Sequence, residues 1–294
     1  MVTATVSLDG AVVLLVPVVL ALGRHDPALR RTLLLGTVAV ANAFSLAVPQ
    51  GNPTNLVVMR RLDLAPTVYL EHMLIPAVLA TLVCAAIPAY LGRAALASVL
   101  PRGCYAPPKQ DGSPRAWTPG ERFAAAGLAT AALAAVVTPW LGISPLSALV
   151  VVAVATYALA KATGLATPPL PVPWRVGAQI AALVALVGLL PAVHLTASTL
   201  PGAVAVALTA TALAATLNNL PASIALAGTL GAPGITAYAA LAGLSVGALA
   251  TPRGSVATII AFRRAGGSPG RRRSTALAAL TATALATVAL YLLR

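Results

Sequence analysis

The chain has 294 residues, of which 59% are apolar and only 9% charged, and its mean hydropathy is +0.91. A soluble domain carries about 25% charged residues, so this composition excludes an ordinary soluble enzyme, a disordered tail and a disulfide-rich secreted module. The net charge of +13 combines nineteen Lys and Arg with six Asp and Glu. Aromatic residues are 4% and no strand-like alternation occurs, so the composition predicts an all-α integral membrane protein rather than a β-barrel.

Apolar segments long enough to cross a membrane recur along the chain, since about 20 apolar residues span the hydrocarbon core. They lie near 32–58, 73–92, 122–142, 145–161, 176–194, 234–262 and 275–293. A shorter apolar segment, 11–22, comes directly after Asp9 and Gly10. Near 203–230, two apolar arms that are too short to cross alone flank Asn218 and Asn219, which predicts a re-entrant hairpin.

The basic residues are concentrated in the short gaps between apolar segments, as in the cytoplasmic loops of membrane proteins. If the loop 93–121 is cytoplasmic, fifteen of the nineteen basic residues fall on the same side. These are Arg24, Arg30, Arg31, Arg93, Arg102, Lys109, Arg115, Arg122, Lys161, Arg175, Arg263, Arg264, Arg271, Arg272 and Arg273. Only Arg60, Arg61 and Arg294 fall outside, and Arg253 lies within a segment. This asymmetry predicts a multi-pass protein of the plasma membrane and argues against a nucleic-acid partner.

The order of the segments predicts a secondary transporter built from two inverted repeats with broken helices and re-entrant hairpins. Residues 1–92 form the first repeat, the Pro-rich stretch 93–121 is a cytoplasmic linker, and 122–294 form the second repeat. The first repeat is incomplete, because it lacks the counterparts of three spans and one hairpin arm. By analogy between repeats about a hundred residues are missing, which leads us to expect a truncated or misassigned start.

Two polar stretches interrupt apolar segments at matching places in the two halves. In the first, the helix-breaking residues are Pro49, Gly51 and Pro53, and the polar side chains are Asn52, Thr54 and Asn55. In the second, Pro252 and Gly254 break the helix beside Thr251 and Ser255. Unwound backbone at membrane depth is tolerated where it is buried or lines a polar cavity, so both stretches are candidate substrate sites. The alternative for the first stretch is an ordinary loop outside the membrane.

The hairpin tip adds two amides, Asn218 and Asn219, followed by the helix-breaking Pro221. Such amides can donate to and accept from a hydroxylated substrate, although a pair of interhelical hydrogen bonds would explain them equally simply. We therefore expect the substrate to contact Asn52, Thr54, Asn55, Asn218, Asn219 and Ser255.

Two charged residues fall within apolar surroundings, where an ionisable side chain by default marks a functional site. Asp9 is the expected residue for ion coupling, unless residues 1–10 are simply an exposed terminus. Arg253 is the second residue expected in ion coupling, as a substrate ligand, a counter-ion or a proton-coupling group, unless its side chain extends to the interface.

Cys84 and Cys104 form no CxxC pair, and the histidines show no ligand spacing, so we expect neither a metal nor a cofactor. The sequence contains no nucleophile elbow, Walker motif or dinucleotide-binding loop, which argues against an enzyme.

In combination, these motifs resemble the arsenite-efflux permease family of the ion transporter superfamily. The stretch Asp9-Gly10-Ala11 with Pro17 is similar to the family's Asn-Asp-Gly-Ala tip, and 217–221 is similar to its Asn-Asn-Met-Pro tip. Asn42, Ser45 and 49–56 resemble the first broken helix of the family, and 251–255 resembles the second. The chain departs from the family at Leu8, Ser245 and Leu249, which replace asparagines, and at Arg253, which replaces an apolar residue.

The resemblance implies efflux of arsenite or antimonite, coupled to proton entry or to a separate ATPase subunit. Related branches of the superfamily move dicarboxylates, citrate, silicic acid or sodium, and Arg253 keeps an organic-anion or sodium-coupled transporter open as an alternative. A truncated remnant that does not transport is a third reading. The expected partners are the lipid bilayer and a small anion or neutral oxyacid, with a homodimer left open.

Overall fold

The described part of the chain is α-helical. The computed structural model describes residues 2–24, 26–97, 118–138, 145–165, 195–266 and 273–293, together with 178, 182 and 185. Its helices are α1 (Val2–Leu22), α2 (Pro27–Phe44), α3 (Pro53–Arg61), α4 (Pro66–Leu91), α5 (Arg93–Ala97), α6 (Pro119–Val137), α7 (Pro145–Ala162), α8 (Leu200–Leu217), α9 (Asn219–Ala227), α10 (Ile235–Ser245), α11 (Val256–Arg264) and α12 (Arg273–Leu292). Within these residues, the β-type pairing is limited to one isolated bridge between Leu195 and Leu230. The all-α class predicted from composition is confirmed.

Three described helices are long and apolar enough to cross a membrane: α4, α8 and the 274–292 part of α12. Shorter apolar helical segments cover Ser7–Leu22, Ser147–Ala162 and Ile235–Ala250. The first arm of the expected hairpin is longer than its apolar pattern indicated, because α8 already begins at Leu200, after a Thr199 cap. The predicted span 176–194 and most of the linker 93–121 lie outside the described residues.

The chain forms two compact units. The larger unit comprises Met1–Arg102 and Arg175–Arg294, and the smaller one comprises Gly103–Trp174. In the smaller unit α6 packs against α7, with Gly127 facing Thr156. Every candidate site residue belongs to the larger unit.

Several helices of the larger unit begin at a polar side chain that caps free backbone N–H groups. Asp26 Oδ1 accepts from the N–H groups of Ala28 at 2.8 Å and Leu29 at 3.0 Å, and Pro27 occupies the first helical position of α2. Asn52 Oδ1 accepts from the N–H of Thr54 at 3.1 Å at the start of α3. Such caps stabilise a helix by about 1 kcal/mol each, and the Asn52 cap marks where the first broken helix restarts.

The core of this unit is built from small side chains that let helices approach closely. Helices α4 and α12 pack side by side, and α8 packs against α10. A Cβ at Gly243 would collide with the carbonyl of Ala207, and one at Gly247 would collide with the Thr211 side chain. Membrane helices associate by this kind of close backbone packing, since lipid tails provide no hydrophobic drive between them.

Helix α1 contains a break at Ser7, whose φ and ψ are 70° and 169°. The sequence pattern placed the first tip at Asp9, but the non-helical residue is two positions earlier, and Asp9 lies in the helical part that follows. Neither proline nor glycine occupies position 7, so the composition of the segment does not signal the kink.

Candidate functional site

The first break is a buried turn held together by amide and hydroxyl side chains. Asn55 Nδ2 donates to the carbonyls of Ser45 at 2.9 Å and Val48 at 3.1 Å, which closes the backbone between α2 and α3. Tyr69 of α4 donates from its hydroxyl to the carbonyl of Leu46 at 2.8 Å. The prolines and Gly51 shape this turn: Pro49 and Gly51 form a 3₁₀ turn, and Pro53 is the first residue of α3.

Two of the predicted substrate residues in this break have polar atoms that remain unused. Asn52 Nδ2 and Thr54 Oγ1 are buried and lack a hydrogen-bond partner among the described residues. Asn52 is bonded through Oδ1 only, whereas Asn55 Nδ2 makes both of its bonds within the turn. Because a buried polar atom without a partner costs about 1–3 kcal/mol, unused donors in a polar break indicate a place where another group binds.

The hairpin tip is docked on the second break. Asn218 Nδ2 donates to the carbonyl of Arg253 at 2.9 Å, and the N–H of Asn219 donates to the carbonyl of Gly254 at 2.7 Å. Thr251 Oγ1 donates to the carbonyl of Ala215 at 2.6 Å. These three bonds place the N-terminus of α9 beside the N-terminus of α11. Pro221 lies in the first turn of α9, and Pro252 and Gly254 lie in the loop before α11.

Ser255 ends this loop at the position that caps α11. Its φ and ψ are −140° and 141°, but its hydroxyl makes no capping bond. Ser255 Oγ is buried without a partner among the described residues, as is Thr258 Oγ1 one turn later. The second break therefore presents two free hydroxyls at a helix N-terminus.

The two breaks have similar backbone conformations, and their residues align at a constant offset. Ser255 corresponds to Asn52, whose φ and ψ are −146° and 134°. A Cβ at Gly51 would collide with the carbonyl of Ser45, and one at Gly254 would collide with that of Ala248, six residues earlier in each case. With residue i matched to residue i + 203, the pairs 46/249, 47/250, 49/252, 51/254, 60/263 and 61/264 are identical. In this register Gln50 corresponds to Arg253, and Asn55 to Thr258.

The two hairpin tips also match in backbone geometry. Asn218 has φ and ψ of 84° and 149°, close to the values at Ser7. Two side chains in this sparsely populated region mark the same sharp reversal at the start of α9 and within α1. Helix α1 packs against α11, and α9 packs against α3, so each tip element contacts the broken helix of the other half.

One side-chain hydrogen bond joins the two broken helices directly. Ser245 Oγ, at the end of α10, donates to Asn55 Oδ1 in α3 at 3.4 Å. Asn55 is thereby placed between the halves rather than at a free surface. Thr258 and Tyr69 contribute to this region and were not among the predicted site residues. The i + 203 register identifies Thr258 as a candidate, because it pairs this residue with Asn55.

Among the described residues, the side chains of the two predicted charged residues take no part in these hydrogen bonds. Asp9 is half-buried in α1, and the Arg253 side chain is exposed next to the docked tip. No ion pair joins Asp9 to Arg253 in the part of the chain that the structure describes. Among these residues, no group of three or more His, Cys, Asp or Glu side chains could hold a metal ion.

Comparison with known proteins agrees with a transporter. The family model CitMHS, described as a citrate transporter, matches residues 1–258, which include both tips and both breaks. Comparison with curated proteins and with solved structures gives no match. The family consists of membrane secondary transporters, not enzymes, and it lies in the expected ion transporter superfamily, whereas membership of the arsenite-efflux permeases stays a prediction. The chain belongs to the CitMHS citrate transporter family.

Proposed function

We propose that this secondary transporter carries a small carboxylate of the citrate type across the plasma membrane, bound between its two helix breaks. The observation that carries the proposal is the matched pair of breaks. Each ends at the N-terminus of a short helix and presents a buried, unpartnered polar atom, Asn52 Nδ2 in one and Ser255 Oγ in the other.

A helix N-terminus favours an anion, because its free N–H groups and the helix dipole provide positive potential. The docked tip adds the N-terminus of α9 to that of α11. Arg253 supplies a full positive charge at the same place, and its guanidinium is exposed for a carboxylate. The family description, a citrate transporter, supports the same class of substrate.

Asp9 completes the proposal as the residue for ion coupling. It lies two positions after the reversal at Ser7, on an α1 that packs against α11 and against the 3₁₀ turn Pro49–Gly51. A half-buried carboxylate next to an anion site is suited to accept a proton or a sodium ion when the substrate binds.

The matched register supports an inverted-repeat architecture, which we propose as the basis of alternating access. The paired Arg60-Arg61 and Arg263-Arg264 end the two short helices α3 and α11. The charge asymmetry of the sequence assigns the first pair to the outside and the second to the cytoplasm. In an inverted repeat, the ends of corresponding helices must face opposite sides of the membrane.

Arsenite or antimonite efflux coupled to proton entry is the second candidate. It is favoured by the uncharged character of the unused atoms of Asn52, Thr54 and Ser255, which suit a neutral trihydroxy acid. On this reading Arg253 has no substrate role, so the two candidates differ in what this residue does.

The experiment is uptake of labelled citrate, malate and arsenite by the purified protein in proteoliposomes, under an imposed proton or sodium gradient. We expect saturable citrate uptake, lost in Asn52→Asp, which keeps the Oδ1 cap of α3 but replaces the donor with a negative charge. Ser255→Ala should lower uptake without loss of stability, since its hydroxyl makes no bond. Thr283→Val, at another buried unpartnered hydroxyl on α12, is the matched control. Arsenite transport without citrate transport would establish the second candidate instead.

A further inference from the structure

An apolar groove of about 590 Å³ lies in the larger unit, along α2 up to its last residue, Phe44. It is lined by Leu15 of α1, by Leu33, Gly36, Val40 and Phe44 of α2, and by Pro88 of α4. Of the three threonines in its wall, Thr32, Thr37 and Thr81, the first and the last donate to carbonyls of their own helices at 2.9 Å and 2.7 Å. The groove therefore presents an apolar surface, and its volume is in the range of about 300–1,000 Å³ found for ligand pockets.

The alignment of the two halves indicates that this groove does not hold a helix packed as α8 is. Val40 and Phe44 correspond to Gly243 and Gly247, the two glycines against which α8 packs. At those glycines even a Cβ would collide with α8. On α2 the same positions carry a valine and a phenylalanine that line the groove, so a helix backbone cannot approach as α8 does. A thin, flexible apolar chain fits such a groove better than a helix.

Two arginines are close in sequence to lining residues at one end of the groove, and Arg93 Nη1 also donates to the Tyr90 carbonyl at 3.2 Å. Arg31 directly precedes the lining residue Thr32, and Arg93 lies between the lining residues Ala89 and Leu96. Arg31 Nη2 is buried and has no hydrogen-bond partner among the described residues. The nearby acid, Asp26, already accepts from two backbone N–H groups as the cap of α2. Because Arg31 Nη2 has no partner among the described residues, this end of the groove suits an anionic group.

We propose that the groove binds an anionic glycerophospholipid, with an acyl chain along Leu33, Val40 and Phe44 and the phosphate at Arg31 and Arg93. The charge asymmetry of the sequence assigns this end to the cytoplasmic face, where basic pockets between membrane helices bind anionic head groups. The lipid covers α1, α2 and α4 on a side where, among the described residues, no helix packs in the manner of α8. This proposal does not depend on the identity of the transported substrate.

The test is native mass spectrometry of the full chain released from nanodiscs that contain equal amounts of phosphatidylglycerol and phosphatidylcholine. We expect retained phosphatidylglycerol in the wild type, and a preference over phosphatidylcholine that falls about fivefold for each arginine removed in Arg31→Gln and Arg93→Gln. Gly36→Leu should abolish retention of either lipid, because a Cβ at Gly36 has only Pro88 Cβ nearby, at 4.0 Å, and its side chain fills the groove. Arg60→Gln, at the end of α3, is the matched charge control.

A second measurement on the wild-type protein keeps the proposal testable even if a variant fails to fold. A phosphatidylglycerol with a photoactivatable acyl chain should label the peptide that contains α2, and unlabelled phosphatidylglycerol should compete better than phosphatidylcholine. Equal competition by the two lipids, labelling distributed over all helices, or unchanged retention in Gly36→Leu would each overturn the proposal. The proposal would also be overturned if free inorganic phosphate saturated the site in place of the lipid.

Discussion

The N–H of Asn219 donates to the carbonyl of Gly254 at 2.7 Å, which joins the hairpin tip to the second helix break. Two residues 35 positions apart in sequence thus form one polar platform at the start of α9 and α11. Because the backbone makes this bond, it does not require a particular side chain at Asn219, in contrast to the docking bonds of Asn218 and Thr251. It depends instead on the conformations of Asn218 and Gly254, and both can be tested.

At Asn218, we expect Asn218→Ala to lower the free energy of unfolding by about 1–3 kcal/mol. The variant loses the bond to the Arg253 carbonyl and the cap of α9, and it places a Cβ at φ 84° without a compensating side-chain bond. Asn218→Gly loses the same bonds but avoids the Cβ penalty, so it should be less destabilised. Denaturant unfolding in mixed micelles measures both; equal destabilisation of the two variants would contradict the role of the positive φ.

At the glycines, Gly51→Ala and Gly254→Ala should each destabilise the protein by about 1–3 kcal/mol or more, the range seen for overpacking. In each case the new Cβ meets a backbone carbonyl, which cannot move away as a flexible side chain would. Gly120→Ala is the control, because a Cβ there has nothing within 4 Å. The thermal midpoint and the yield of folded protein are the measurements, and a Gly254→Ala protein as stable as Gly120→Ala would refute the close approach.

At Tyr69, loss of one hydroxyl should weaken the first break. Tyr69→Phe removes the buried bond to the Leu46 carbonyl at 2.8 Å and leaves that carbonyl without this donor, which costs about 1–3 kcal/mol. Tyr90→Phe, at an exposed tyrosine of the same helix that lies under Arg93, should change stability little. The difference in thermal midpoint between the two variants is the readout. No difference between them would mean that the bond contributes nothing to the break.

Across the two halves, Ser245→Ala and Asn55→Ala should be coupled in a double-mutant cycle. The direct bond between Ser245 Oγ and Asn55 Oδ1 at 3.4 Å leads us to expect a coupling energy of about 0.5–1 kcal/mol. Additive effects would show that this contact does not hold the broken helices together. A control cycle that pairs Asn55→Ala with Thr287→Ala should be additive, because the Thr287 hydroxyl bonds within α12.

Much of the fold was predictable because proline, glycine and capping residues have direct backbone effects. The broken segment at 49–55 carries Pro49, Gly51 and Pro53, and these residues dictate a turn followed by a helix start. The apolar pattern predicts a shorter α8 that begins at 203. The helix begins at Leu200 instead, because Thr199 caps it.

The site was less predictable, because it depends on contacts between distant segments. The reversal at Ser7 has no sequence signal of its own, and it became recognisable only through its likeness to Asn218 in φ and ψ. Nor does the sequence reveal that Asn55 is used up by the turn while Asn52 Nδ2 remains unused. That distinction requires the positions of carbonyls up to ten residues away.

Binding of a carboxylate at the breaks can be measured through the concentration dependence of citrate uptake in wild-type and Arg253→Gln proteoliposomes. Gln is the residue at the matching position 50, and Arg253 is exposed, so the variant should fold normally. We predict saturable wild-type uptake and a KM about tenfold higher in Arg253→Gln, as expected for loss of one charge-assisted hydrogen bond. Arg263→Gln, at the other end of α11, should match the wild type. The absence of saturable citrate uptake by the wild type, or an unchanged KM in Arg253→Gln, would contradict carboxylate binding at the breaks.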